Sequence, residues 1–437
     1  VAGSWVAHLL GAGRWGQIFA GVFIASTPMA VLQASSTQND LALSFWVLSC
    51  AGLGLSAIMA SRPDNFLLSA VALGLSVLTK SSAFVLLPFL LWFAGSGVIR
   101  HWKFILLGAA AFLLIAGPHY ARNMMLQDGK SFLHEEGAAL MMQKHDVLSV
   151  ASNGLRQMAS EMRSLWGPAN DMLVNGIRGW HAFSGVKVDD RAVFVDSLGV
   201  INKAPLVMDE DFAGNSVQVV MIIFMLGVIA ALRPARPVWL YLVSVCCGVV
   251  LFWVLLKWQP WSNRLHLPSM MLFAPLFGVM ADRWRWPLLA FFAVLSVFAF
   301  WAAIFNYTRP LVGQFNVFGP KDPVAFAKNR YLIPYYGITK VLLEKASCQD
   351  VGLLEKEDSW EYPLWSLTRG SGIRFRPVEV KNVSAKLESS VAPCALVTID
   401  QDADPKLRVV KGAPFVRAWG ADKIMAFYIR LRPEMLE

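Results

Sequence analysis

The chain has 437 residues, of which 56% are hydrophobic and 16% charged, with a formal net charge of +9. A soluble domain carries about 25% charged residues, and apolar blocks close to the about 20 residues of a membrane helix recur here, so an ordinary soluble fold is excluded. The positive charge is spread over short loops, with no basic stripe of interleaved aromatics, which argues for membrane orientation and against nucleic-acid binding.

Residues 1–10 read as the tail of a helix, with further sequence expected upstream. Nine spans follow, at roughly Trp15–Ala34, Leu41–Ala60, Phe66–Thr79, Ala83–Val98, Phe104–His119, Val217–Leu232, Val238–Leu255, His266–Met280 and Pro287–Phe305. The loops "SRPDN", "RHWK", "RPARP" and "DRWRW" carry Arg or Lys and face the cytoplasm by the positive-inside rule. Two of them flank Phe66–Val98, which therefore crosses an even number of times, as two short spans meeting near Lys80. The 17 Trp suit interfacial belts.

The opposite face then collects Asp40, Lys80, "HYARN" (His119–Asn123), the segment Ala121–Ser216, "KWQPWSNR" (Lys257–Arg264), "NYTRP" (Asn306–Pro310) and the C-terminal region. The 121–216 segment exceeds an ordinary loop. Its stretch "GAALMMQKHDVLSVASNGLRQMASEMRSLW" has apolar residues at helical spacing, which predicts helices lying along the membrane surface.

The chain divides into a multi-span domain, 1–320, and a soluble domain, 321–437. In the latter, Asp350–Leu354, Ile373–Val380, Cys394–Asp400 and Lys423–Leu431 read as strands and Ser359–Arg369 as a helix, a small α/β domain. It has no glycine-rich phosphate loop and no metal motif. Cys50, Cys246 and Cys247 lie in apolar spans as packing residues. Cys348 and Cys394 are candidates for a disulfide if that domain lies outside the cytoplasm.

Asp40, just before "LALSFWVLS", is a candidate helix N-cap, worth about 1 kcal/mol. It is equally a candidate general base or metal carboxylate at the mouth of a helix bundle. Lys80 is either a snorkelling lysine or a phosphate-binding cation. Pro118 bends or ends its helix, and behind it His119, Tyr120, Arg122 and Asn123 form either an interfacial anchor or a phosphate grip through Arg122. Trp258 and Trp261 are belt residues or sugar-stacking faces, with Arg264 and His266 leading into the next span. Arg309 adds a fourth cation to Lys80, Arg122 and Arg264. His134, Glu135 and Glu136 are a weak metal cluster without HExxH spacing.

"TPMAVLQASSTQNDLALSFWV", "LGLSVLTKSSAFVLLPFLL", "GPHYARN" and "RLHLP", in that order, resemble the GT-C membrane glycosyltransferases, in particular the bacterial relatives of protein O-mannosyltransferases and of the lipid A aminoarabinose transferase. The resemblance implies a multi-pass inner-membrane protein with its active site and C-terminal domain on the periplasmic side. It implies a sugar donor carried on a polyprenyl phosphate and a lipid, glycan or protein acceptor. Asp40 matches the second acidic position of the family, Lys80 its Thr-Lys segment, and Arg122 and Asn123 its aromatic-x-Arg-Asn segment; Arg264 falls at a late basic position. The family's leading acidic loop is expected upstream of Val1. On this reading Asp40 is catalytic. Lys80, Arg122, Arg264 and Arg309 bind the donor phosphate, and His119, Tyr120, Asn123, Trp258, Trp261 and His266 bind sugar or acceptor. A divalent metal ion is the only candidate cofactor. The competing readings are a transporter or flippase of lipid-linked sugars, using the same cations without transfer, and a non-catalytic membrane scaffold.

Overall fold

The computed structural model describes residues 1–96, 101–127, 135–164, 166–198, 208–232, 234–313, 316–319, 330–356, 359–421 and 423–431. The chain forms two compact units, one of residues 1–124 and 131–311 and one of residues 125–130 and 312–437.

The first unit is helical. Its elements are α1 (Ala2–Leu9), α2 (Arg14–Ser26), α3 (Pro28–Gln33), α4 (Asp40–Met59), α5 (Asn65–Thr79), a 3-10 turn (Ser81–Leu86), α6 (Leu87–Gly95), α7 (Trp102–Leu126), α8 (Glu135–Ala139), α9 (Val147–Glu161), α10 (Gly167–Ser184), α11 (Ser216–Leu232), α12 (Arg236–Leu255), α13 (Ser262–Leu265) and α14 (Leu267–Ile304). Among the described residues, α4, α7 and α12 are long and apolar enough to cross a membrane, and shorter apolar stretches lie at 65–79, 81–95, 216–231, 267–281 and 289–304. On α7, Leu106, Leu107, Leu113 and Leu114 are all exposed, a surface suited to lipid rather than water.

Nine separate spans are therefore not what the chain builds. The first is cut in two, because Thr27 is extended and Pro28 starts a new helix, as proline at a first helical position does. The last two are a single helix, α14, of 38 residues. "DRWRW" is thus not a loop: Arg marks orientation by its charge and Trp favours the interface, but neither breaks a helix. Pro118 also fails to end its helix, which continues to Leu126. The break at Lys80 is present. Its backbone is extended (φ −164°, ψ 142°) between α5 and the 3-10 turn.

Close backbone approach holds the bundle. A Cβ on Gly16 would lie 2.1 Å from the Gly278 carbonyl oxygen, and one on Gly278 2.8 Å from that of Gly16, so α2 and α14 pack where neither has a side chain. Phe23 stacks on Phe277 beside them.

The helix α9 has a polar buried side. It carries Ser149, Ser152, Asn153, Arg156, Gln157, Ser160 and Glu161, while Val147 and Leu148 are exposed. It turns its polar face inward, where Asn153 bonds Trp253, Leu256 and Trp258.

The second unit is a mixed six-stranded sheet ordered β2-β1-β3-β6-β5-β4, with β1 (Asp350–Leu354), β2 (Arg374–Pro377), β3 (Ala395–Ile399), β4 (Leu407–Val410), β5 (Ala413–Ala421) and β6 (Met425–Arg430). β1 pairs in parallel with β2 and β3; the remaining pairs are antiparallel. Two helices, α15 (Ile333–Lys345) and α16 (Tyr362–Leu367), accompany it. Tyr336, Leu343, Leu364, Val351, Val397 and Phe427 form its core. Cys348 and Cys394 are joined by a disulfide. The hairpin β4–β5 goes beyond the expected strands. Its turn uses Lys411 and Gly412 at φ 52° and 75°, and Pro414 and Gly420 inside β5 hide it, since both residues argue against a strand.

Candidate functional site

The polar run before α4 folds back on itself. Asp40 is the first residue of α4, not its cap; Asn39 holds the cap position without a side-chain cap bond. Gln33, at the end of α3, does the capping. Its Oε1 accepts the Leu41 N–H at 3.0 Å, and its Nε2 donates to Asp40 Oδ2 at 3.4 Å. This leaves Asp40 Oδ1 to accept from Lys80 Nζ at 2.6 Å. The Asp40 side chain is fully buried and that of Lys80 is 23% exposed. The extended backbone at Lys80 delivers the ammonium to this carboxylate, and Asn39 Nδ2 ties the same two segments by donating to the Thr79 carbonyl at 3.0 Å. The expected cap is therefore replaced by a buried ion pair.

A second pair stands next to the first. Arg264 Nη1 meets Asp211 Oδ1 at 2.6 Å, and Gln38 Nε2 donates to the same oxygen at 3.1 Å. Arg264 and Asp211 are close enough for both charges to act on the Lys80 ammonium. A third pair joins Arg309 Nη2 to Glu210 Oε1 at 3.3 Å, with Thr308 Oγ1 donating to Glu210 Oε2. Three of the four expected cations thus meet acids: Asp40 beside α3, and Glu210 and Asp211 in the turn "MDEDF" (Met208–Phe212). That turn was missed by sequence reasoning; its three consecutive acids, facing the basic ends of two distant segments, were the available signal.

Arg122 stays apart. It is exposed on α7, which continues as helix through Pro118. His119 and Asn123 bond each other at 3.3 Å along that helix, and Tyr120 donates to the Val77 carbonyl at 3.3 Å, fastening α7 to α5. This group anchors a helix and does not join the cations.

Trp258 is fully buried. Its Nε1 donates to Ser160 Oγ at 2.7 Å, and the Arg156 guanidinium lies 5.4 Å from its ring, so its faces belong to the core and are not a sugar platform. Trp261 is partly buried against the main core. His266 sits at the start of α14, with Nδ1 3.0 Å from Glu161 Oε1 and its ring 4.6 Å from that of Phe252. The other oxygen of Glu161 accepts from the backbone N–H and Nδ2 of Asn215, whose Oδ1 in turn accepts the Met29 N–H. Glu161, unremarked in the sequence, links α9, α3, α11 and α14. Burial lowers the Arg163 guanidinium below its ordinary value, and the Glu161 charge opposes that fall. Burial likewise lowers Arg156, to about 10, against the pull of Asp189.

His134 lies outside the described residues, as do the side chains of Glu135 and Glu136. Among the described residues no group of three or more His, Cys, Asp or Glu side chains comes together in a way that suits a metal ion. Asp40 is already engaged by Lys80 and Gln33.

Comparison with family models, curated proteins and solved structures finds no match to this chain.

Proposed function

We propose that the chain is a membrane glycosyltransferase of GT-C type, moving a sugar from a polyprenyl-phosphate-linked donor to an acceptor hydroxyl on a lipid, glycan or protein. The observation that carries this reading is the buried Asp40–Lys80 pair with the Arg264–Asp211 pair beside it. Displacement of a lipid phosphate from an anomeric carbon puts negative charge on the leaving oxygen and positive charge on the sugar. Lys80 and Arg264 are cations held in place before substrate arrives, as electrostatic stabilisation of a departing phosphate requires. When the donor phosphate takes up the Lys80 ammonium, the Asp40 carboxylate is released to accept the proton of the attacking hydroxyl. The acceptor oxygen bonds to the anomeric carbon, the bond from that carbon to the phosphate oxygen breaks, and the polyprenyl phosphate leaves with the electron pair.

The disulfide supports an oxidising, extracytoplasmic setting for the second unit. The basic loops support the same side for the mouth. The inner membrane and the periplasm are the setting proposed.

The test is transfer from undecaprenyl-phosphate-linked sugars by the protein in lipid nanodiscs. Asp40→Asn is expected to abolish transfer while the protein still binds undecaprenyl phosphate. Full transfer by that variant removes Asp40 from the chemistry. Movement of the lipid-linked sugar across the bilayer with no transferred product points instead to a flippase.

A further inference from the structure

Buried polar atoms in folded chains nearly always have a partner. A local concentration of unpartnered ones calls for a partner that the chain itself does not supply. Among the described residues, such atoms gather where the end of α9 meets the 257–266 segment. Both amide atoms of Gln157, Nε and Nη2 of Arg163, Oε1 of Gln259, Oδ1 of Asn263 and Nε2 of His266 are buried and without a hydrogen-bond partner. All five residues are more than nine-tenths buried.

These groups belong to one neighbourhood. Gln157 and Glu161 are one turn apart on the same face of α9, and Glu161 holds His266. Asn263 Nδ2 donates to the carbonyls of Ser160 and Phe212 at 3.0 and 3.1 Å. Arg163 follows the helix directly and is charge-coupled to Glu161. Gln259 is held in the same segment, its N–H bonded to Ser262 Oγ at 3.1 Å. Arg264, half-buried and paired with Asp211, lies between Asn263 and His266 in the chain and connects this seam to the mouth.

The chemistry of the unpartnered atoms selects the ligand. Gln157 Nε2 and the Arg163 guanidinium are donors, while Gln157 Oε1, Gln259 Oε1 and Asn263 Oδ1 are acceptors. His266 holds Glu161 through Nδ1 and presents Nε2 as a further unpartnered polar atom. A phosphate, which only accepts, leaves most of these unsatisfied. Hydroxyl groups both donate and accept, so a polyhydroxylated ring matches the set.

We propose that this seam is the sugar subsite of the transferase, with Gln157, Arg163, Gln259, Asn263 and His266 binding the ring hydroxyls of the donor while Lys80 and Arg264 hold its phosphate. The assignment rests on the glycosyl-transfer reading and adds the residues that recognise the sugar.

The test uses the full chain in nanodiscs and compares binding of bare undecaprenyl phosphate with a panel of hexosyl and pentosyl undecaprenyl phosphates. The wild type is expected to bind at least one sugar-bearing lipid 10-fold or more tightly than the bare lipid. Gln157→Leu and Gln259→Leu are expected to lose that preference while binding the bare lipid normally, which also serves as the control for folding. Gln157→Glu, which keeps the size and the acceptor oxygen but replaces the N–H donor with a second acceptor, is expected to retain part of it. Leucine variants that keep the full preference, or a wild type with none for any sugar in the panel, overturn the subsite. A wild type that binds neither kind of lipid overturns the transferase reading itself.

Discussion

The mouth and the seam lie on the same unit, and both bury polar groups, but they are finished to different degrees. At the mouth each cation already has its counter-charge: Lys80 with Asp40, Arg264 with Asp211, Arg309 with Glu210. At the seam five side chains hold seven polar atoms without a partner, against the two guanidinium Nε atoms of Arg264 and Arg309 at the mouth. The first arrangement is stable without a ligand and gives up an internal contact when a phosphate arrives. The second is incomplete until a ligand supplies the missing hydrogen bonds. A site that must hold a charged group in the same place through many turnovers is served by the first; one that must discriminate among neutral rings is served by the second, because rejecting the wrong hydroxyl pattern leaves buried groups unpaired.

The sharpest way to break this contrast is at Lys80. Lys80→Ala strands a fully buried carboxylate, and removing one partner of such a pair costs about 3–5 kcal/mol. Adding Asp40→Ala to it is expected to recover most of that loss. Thermal unfolding of the purified protein in detergent reads both, and an unaffected single variant shows that the Asp40–Lys80 contact does not contribute to stability.

A smaller effect is expected at Arg264, whose partner Asp211 is 26% exposed where Asp40 is fully buried. Arg264→Ala is expected to weaken undecaprenyl phosphate binding about 10-fold, equivalent to about 1.4 kcal/mol. Arg122→Ala, outside the cluster, is expected to leave binding unchanged, and titration of both variants with the lipid tests the division.

The seam predicts an effect of opposite sign. Gln157→Leu removes two unpartnered buried atoms and is expected to raise unfolding stability by about 1 kcal/mol in the absence of ligand. A substitution that stabilises the protein and removes sugar preference separates the seam from ordinary core packing, whereas a destabilised Gln157→Leu shows that the amide is already satisfied.

The second unit supplies the smallest effect and a control outside both regions. Burial and the nearby Glu361 charge push the Glu355 carboxyl up to about 7. A folded value above the unfolded one of about 4.3 means that Glu355 favours the folded state when protonated. Its contribution is full below about pH 4.3 and is lost as pH rises through about 7. Glu355→Gln is therefore expected to gain a little stability above pH 7 and none at pH 4, measurable as a flatter dependence of the unfolding midpoint on pH. No change is expected in lipid binding at the mouth.

Much of the helical pattern was legible in the sequence because it is local. The ends of α4, α11 and α12 and the break at Lys80 follow from apolar runs, proline positions and a polar interruption. Where local signals misled, the reason is physical. "DRWRW" carries loop-like charge but no helix breaker, so α14 runs through it. Pro118 was given more weight than it has within a long apolar helix. The hairpin β4–β5 was hidden by Pro414 and Gly420. The candidate site brings Asp40, Lys80, Arg264 and Arg309, which stand out in the sequence as charges at the ends of apolar spans, together with Gln33, Glu210 and Asp211, which do not, because amides and acids in polar segments look like any other surface residues.

By itself the sequence determined which residues carry charge in an apolar chain, where most helices start and stop, and that Cys348 and Cys394 stand in the same polar region. Only the tertiary structure decided which acid meets which base. Lys80 and Asp40 are 40 residues apart, Arg264 and Asp211 53, and Gln38 and Asp211 173. Helix propensity and hydrophobic periodicity act over a few turns, whereas a buried ion pair needs two distant segments brought within 3 Å with their charges shielded from water, and only the packing of the bundle does that.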